Sequence, residues 1–233
     1  MIIAITSDIH SNLEALTAVL YEIERRKITQ IYCLGDVVGY GSNPNECIQM
    51  LRERNIPCIA GNHDKAAMKE IDIDDFSEAA RTGIIWTRSV LTHESIQYLR
   101  ALPLSLEEHG IMFVHSSPDE PQEFRYLIYP EDTFSSYRAF SGSLCVIGHT
   151  HRPVVFCEDM VSTQITHDKK FIVNAGSVGQ PRDGNWRACF MLFNTDAWSM
   201  EYVRLEYDVN TARQKILSVG LPKKLGDRLL VGI

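Results

Sequence analysis

The chain opens with MIIAITSDIHSN, residues 1–12, and this stretch decides how the rest is read. Met1–Ser7 is a continuous apolar run of strand length. Directly behind it come Asp8 and His10, two side chains of metal-ligand type. Leu13, Leu16, Val19, Leu20 and Ile23 then fall on one helix face, with Ser11 or Asn12 as its cap. Ile31–Leu34 reads as a second strand. Asn43-Pro44-Asn45-Glu46 reads as a helix start, with Asn as cap and Pro at the first position. Pro57–Ala60 reads as a third strand. A β-α-β-α-β order of this kind predicts parallel strands joined by right-handed crossovers.

The middle is more helical, with helical spacing over Asp75–Val90 and His93–Leu102. Leu104–Glu108 and Ile111–Val114, joined by His109-Gly110, predict a hairpin. After Leu144–Ile147 the pattern turns to β, over Val154–Cys157, Phe171–Asn174, Ala188–Phe193 and Met200–Leu205. Asn210–Val219 and Leu221–Leu230 close the chain as short helices. The expectation is an α/β fold: two packed mixed β-sheets flanked by helices, in a single domain spanning residues 1–233.

Composition narrows the function classes. The chain has 233 residues, enough to bury roughly 70% of its unfolded surface without a disulfide or zinc staple. A hydrophobic content of 45% with 23% charged residues excludes disordered and collagenous classes. The net charge of −7 disfavours duplex nucleic acid, which needs a basic field. The apolar run Met1–Ile5 is too short for a signal peptide or a membrane span. Six scattered cysteines with no CxxC pair read as buried core thiols. A cytoplasmic chain with no membrane contact is expected; its oligomeric state stays open.

Polar residues recur behind the strands. Asp8 and His10 follow the first, Asp36 the second, and Asn62, His63 and Asp64 the third; His115 follows Ile111–Val114, and His149 and His151 follow Leu144–Ile147. In parallel sheets ligand sites lie beyond the carboxyl ends of strands, so five segments deliver these groups to one rim. In extended chain, residues i and i+2 share a side, so Asp8 with His10, and His149 with His151, are expected to aim into one cavity. Gly35, Gly61 and Gly148 precede the polar residues and would let the backbone turn off each strand. Oxygen donors mixed with imidazole suit borderline divalent metals better than calcium.

The series Asp8-Ile9-His10, Gly35-Asp36, Gly61-Asn62-His63-Asp64, His115 and Gly148-His149-Thr150-His151 resembles the signature of the calcineurin-like metallophosphoesterase superfamily, in particular its small single-domain bacterial phosphodiesterase-like branch. The resemblance covers residues 8–151 with no ligand substituted. It implies two divalent ions, manganese foremost, with iron, zinc, nickel or cobalt as alternatives. Asp8, His10 and His151 would hold one ion, Asn62, His115 and His149 the other, and Asp36 would bridge them. His63, oriented by Asp64, would serve the scissile phosphate without binding metal. The implied reaction is hydrolysis of a small phosphoester by in-line attack of a metal-bridging hydroxide, with phosphodiester or nucleotide-type substrates preferred. The superfamily also contains phosphomonoesterases such as protein phosphatases, dinucleoside polyphosphate hydrolases and non-catalytic protein-binding scaffolds.

Weaker signals surround this series. Tyr40, in the loop after Asp36, is a candidate substrate contact, as are Asn62 and His63. Arg182, in the turn-rich run after Phe171–Asn174, is a candidate phosphate contact, with Arg152 and Arg125 behind it. Phe124–Phe140 carries six aromatics in 17 residues against a chain average of 9%, enough to line a pocket or to pack its own segment.

Overall fold

Alternate residues of the central strands bury into different cores, and this builds a sandwich. The computed structural model describes residues 1–233. Its first half runs β1 (Ile2–Thr6), α1 (Leu13–Arg25), β2 (Gln30–Cys33), α2 (Pro44–Glu53), α3 (Asn62–Ala67), α4 (Glu78–Val90) and α5 (His93–Ala101). The strands β3 (Ser105–Glu108), β4 (Ile111–Val114), β5 (Leu144–Ile147), β6 (Val154–Cys157), β7 (Phe171–Asn174), β8 (Ala188–Asn194) and β9 (Ser199–Leu205) follow. The chain ends with α6 (Val209–Ser218) and α7 (Lys223–Asp227).

One sheet has the order β2-β1-β8-β9 and the other β3-β4-β5-β7-β6. Both are mixed. β1 runs parallel to β2 and antiparallel to β8. In the second sheet β4, β5 and β7 are parallel, with antiparallel edges β3 and β6. Ile3 and Ile5 of β1 meet Phe113, Val146, Val173 and Phe193 in the layer between the sheets. Ala4, Cys33, Phe190 and Leu192 face the other way, under α1, α2, α6 and α7. The outer face of the second sheet, with Cys145, Ile147 and Ile172, is covered by Leu127, Tyr137 and Phe140 from a segment of 3₁₀ turns.

Several expectations are refined. Pro57–Ala60 is not a strand: it contributes only an isolated parallel bridge, Cys33 to Cys58. The Ala60 N–H is diverted to the Pro103 carbonyl at 2.7 Å, and the chain turns at once into α3. The helix expected from Asp75 begins at Glu78, where Ser77 Oγ accepts the Ala80 N–H. Asn12 rather than Ser11 caps α1, accepting from Ala15 N at 3.1 Å. Leu221–Leu230 splits into α7 and a 3₁₀ turn, Arg228–Leu230.

The carboxyl ends of β1, β2, β4 and β5 share one rim, and backbone bonds stitch it across both sheets. Asp8 N donates to Gly35 O (3.0 Å), Gly148 N to His115 O (2.9 Å), and Val178 N to Ser7 O (2.9 Å). His149 N donates to the Asp8 carboxylate at 3.1 Å, linking β5 to β1. Phe193 is fully buried between the sheets. Phe193→Ala should lower the unfolding free energy in urea by about 3–5 kcal/mol. Ile85→Ala, at an exposed position of α4, should stay within about 0.5 kcal/mol.

Candidate metal centre

The side chains behind the strands converge, by a route other than the extended one. Asp8 (φ 54°), His10 (φ 48°), Asp36 (φ 50°), His149 (φ 67°) and His151 (φ 60°) all occupy the left-handed region. Each such residue costs on the order of 1–3 kcal/mol unless its surroundings hold it there. They do so here: His10 N donates to Asp36 O at 2.8 Å and Ser11 N to Val37 O at 2.9 Å. The expectation that Asp8/His10 and His149/His151 converge by extended geometry is therefore corrected. Tight turns off the strands bring them together. Of the three glycines, only Gly35 (φ 87°) uses a left-handed φ. At Gly61 a Cβ would overlap Asp36 Oδ1, and at Gly148 it would overlap Ser7 Oγ, so close approach is the reason there.

Two donor groups result. Ligand atoms of Asp8, His10, Asp36 and His151 lie within 4.8 Å of one another, as do those of Asp36, His115 and His149. Asp36 belongs to both. His10 Nδ1 donates to the Val38 carbonyl at 3.1 Å and His151 Nδ1 to the Gln180 carbonyl at 2.6 Å. A carbonyl only accepts, so both Nδ1 atoms carry the proton and both Nε2 atoms present lone pairs. Those two Nε2 atoms face each other at 3.1 Å. Burial holds both rings well below the usual histidine range, so a lone pair meets a lone pair. A cation held between the two rings would relieve that contact. His115 Nδ1 likewise donates to the Leu34 carbonyl at 2.7 Å. Asn62 Oδ1, His115 Nε2 and His149 Nε2 are buried with no hydrogen-bond partner, which is the donor chemistry of an ion site.

Electrostatics agree. Burial pushes the Asp8 carboxyl up to about 7, with the charge of Asp36 adding to it and that of His115 opposing. Burial works the same way on Asp36, but His115 and His63 overcome it and hold that carboxyl far below the usual range. His115 is pulled down by burial and up by Asp36 and Asp8, and ends near 10. Its Nε2 lies 3.4 Å from Asp36 Oδ2 and 4.0 Å from Asp8 Oδ1. His149 is lowered to about 3 by burial and by the charge of His115. These carboxylates thus draw positive charge to the centre.

His63 is buried beside the two groups. Its ring packs at 4.7 Å on His10, 4.5 Å on Tyr40 and 5.2 Å on Phe76. Its backbone N–H donates to Asp36 Oδ1 at 2.8 Å, and its ring Nδ1 has no partner. Burial lowers it to about 4. Asp64 does not bond the His63 ring. Its oxygens accept from Val38 N at 3.1 Å and Gly61 N at 3.0 Å, so it fixes the loops on which Asp36 and His63 sit.

The weaker candidates separate. Tyr40 is buried between His10 and His63, and its hydroxyl accepts from Arg182 Nη2 at 3.1 Å. Arg125 is taken by Asp119, and Arg152 Nε donates to the Arg182 carbonyl at 2.9 Å. The aromatic segment divides: Tyr137 and Phe140 are core, Tyr129 and Phe134 are exposed, and Phe124 and Tyr126 face the centre. Tyr126 stacks on His149 at 4.0 Å, and Phe124, itself left-handed at φ 47°, lies 6.1 Å from His115. A cleft of about 930 Å³ opens over these groups and is also lined by Phe76, Arg182 and Arg228. Sequence reasoning missed Phe76 and Arg228, which belong to no motif. It also missed the Val38, Leu34 and Gln180 carbonyls, which any residue type supplies.

Residues 1–197 match the calcineurin-like phosphoesterase superfamily domain. The chain is 41% identical over 242 aligned positions to an uncharacterized protein of Methanocaldococcus jannaschii, covering 99% of this chain and 98% of that one. It is 37% identical to a metallophosphoesterase of known structure from Sphaerobacter thermophilus, with TM-score 0.86 and coverage of 100% and 99%. A hypothetical protein from Pyrococcus horikoshii shares the fold at TM-score 0.84 and 24% identity, with coverage of 100% and 98%. With donors placed to hold metal and these likenesses across its length, the chain belongs to the calcineurin-like phosphoesterase superfamily and is a metal-dependent phosphoester hydrolase.

Proposed function

We propose that the chain hydrolyses phosphodiesters or nucleotide-type phosphate esters with two divalent cations, manganese foremost. One observation carries this reading: two donor groups meet at Asp36, and the His10 and His151 lone pairs in one of them face each other at 3.1 Å. Asp8, His10 and His151 would hold one ion, Asn62, His115 and His149 the other, and Asp36 would bridge. Two divalent cations bound there supply Lewis acidity and a nucleophile at neutral pH. Asp8 and Asp36 offset only half of their charge, so the centre attracts phosphate. The carbonyls of Val38, Leu34 and Gln180 fix the tautomers of His10, His115 and His151 and keep each Nε2 aimed inward. His63, neutral at physiological pH, would donate a hydrogen bond to the phosphate or the leaving oxygen.

The cleft supports a diester. Its volume of about 930 Å³ leaves room for groups on both sides of one phosphate. Tyr126, 52% exposed and stacked on His149, offers a flat surface to a nucleobase or aryl group. Arg182 adds a cation beside it. The six free buried cysteines fit a reducing compartment.

The test is turnover of bis(4-nitrophenyl) phosphate against 4-nitrophenyl phosphate with manganese, before and after chelation. Faster diester turnover, lost on chelation, is expected. Activity that survives chelation, or a clear monoester preference, overturns the reading. Asp36→Asn should release most of the bound manganese and lower kcat/KM by more than about 10²-fold, read by elemental analysis and kinetics. His63→Ala should retain its metal while kcat falls by about 10²-fold; loss of metal would make His63 a ligand instead. Because the His115 ring titrates near 10, a cation binding there displaces a proton at any lower pH. Manganese affinity, measured by competition with a chelating dye, should therefore rise with pH, by about tenfold per unit for each proton displaced.

A further inference from the structure

The loop after Asp36 carries a tyrosine in a conformation that an aromatic residue avoids. Tyr40 is left-handed at φ 39°, between Gly39 at φ 102° and Gly41. Neither neighbour has room for a side chain: a Cβ at Gly39 would overlap the His63 ring, and one at Gly41 the His10 carbonyl. Gly41 N in turn donates to His10 O at 3.0 Å, which fastens the loop to the segment bearing Asp8 and His10. The result is a buried ring wedged 4.5 Å from that of His10 and 4.5 Å from that of His63. A phenylalanine would fill that space equally well, so the hydroxyl needs its own account.

The Tyr40 hydroxyl accepts from Arg182 Nη2 at 3.1 Å and donates to no protein acceptor. A guanidinium has no lone pair to receive a proton, so the Tyr40 O–H is free for an acceptor in the cleft that both residues line. Arg182 reaches it from the His151 side. The Arg182 backbone N–H donates to the His151 carbonyl at 3.2 Å, and the His151 ring donates to the Gln180 carbonyl at 2.6 Å. Residues 180–182 thus run along a member of the Asp8, His10, Asp36 and His151 group. The guanidinium lies 5.5 Å from the Tyr40 ring centre and has no carboxylate within 4.0 Å. Both hydrogens of Nη2 are used, on Tyr40 Oη and on Gln180 Oε1 at 3.0 Å. Nε is buried with no partner, and Nη1 makes no bond. An O–H and the spare N–H groups of an uncompensated cation, side by side at the rim, are complementary to an oxyanion.

We propose that the Tyr40 hydroxyl and the spare N–H groups of Arg182 donate hydrogen bonds to non-bridging oxygens of the reacting phosphate, as a part of the phosphate site that uses no metal. This rests on the phosphoester reading above and adds to it two groups that touch substrate beside His63. Negative charge held on those oxygens during displacement strengthens both bonds, so the pair lowers the barrier as well as seating the phosphate. Arg182 also acts on Tyr40 itself: by occupying the acceptor side of the hydroxyl, it fixes where the O–H aims.

Calorimetric titration of the manganese-loaded, dialysed protein with inorganic phosphate tests it, because Tyr40→Phe removes the O–H and keeps the ring. Y40F should retain its manganese by elemental analysis and bind phosphate about tenfold more weakly. R182Q, which keeps an N–H for the Tyr40 hydroxyl but no charge, should weaken phosphate by about tenfold or more. Affinity within about twofold of wild type in either variant overturns the pair, as does a wild-type chain that binds no phosphate. Loss of manganese from Y40F makes the tyrosine a brace for His10 and overturns its donor role. Hydrolysis of bis(4-nitrophenyl) phosphate by the same preparations separates the two readings. Phosphate affinity that depends on both residues in a chain that hydrolyses nothing sinks hydrolysis alone. Turnover with phosphate affinity unchanged in both variants sinks the donor pair alone.

Discussion

Concentrating Asp8, Asp36 and four imidazole rings in one buried place is the constraint on which the rest depends. Without a cation those carboxylates repel, and the His10 and His151 Nε2 lone pairs oppose each other at 3.1 Å. Desolvation makes each conflict more costly than it would be in water. The remaining structure can be understood as the means of holding these groups in a position they would not choose. The sheets supply parallel strand ends on one rim. Backbone carbonyls set the tautomers. Asp64, although it touches no donor ring, clamps Val38 and Gly61 so that the Asp36 and His63 loops cannot part.

The cost appears in the backbone. Asp8, His10, Asp36, His149 and His151 are left-handed, and so are Tyr40 and Phe124 at the mouth of the cleft. Side chains of Asp, Asn and His tolerate that conformation best among non-glycine residues, so the donor types and the turn types coincide. Phe124 has no such tolerance. Farther along the same segment Leu127, Tyr137 and Phe140 are embedded on the outer face of the second sheet and anchor it there.

Much of this was legible in the sequence. The apolar runs gave the strands, and the order of polar residues behind them gave the rim. What periodicity could not give was the third strand. Pro57–Ala60 has strand composition, yet tertiary bonding to Pro103 ends it after a single bridge. Nor could the spacing of Asp8 and His10 reveal a left-handed turn, because alternation in a strand and a tight turn both bring i and i+2 to one side. The six aromatics of 124–140 were visible as a cluster. Their division into cleft, core and surface follows from how 3₁₀ turns lie on the sheet, and composition carries no trace of that. Arg228 lies far along the chain from every motif and reaches the cleft only because the tail folds back on Gly184.

The bond from His149 N to the Asp8 carboxylate has a wider consequence. Asp8 belongs to one sheet and His149 to the other, so the donors that would grip an ion also fasten the two halves of the sandwich. Occupancy and folding are then thermodynamically linked: an ion that prefers the assembled rim adds RT ln(1 + [M]/Kd) to the stability of the native chain. Heat tolerance in such a molecule becomes a property of its inorganic surroundings as much as of its polymer, and metal starvation would be felt as structural fragility as well as lost turnover.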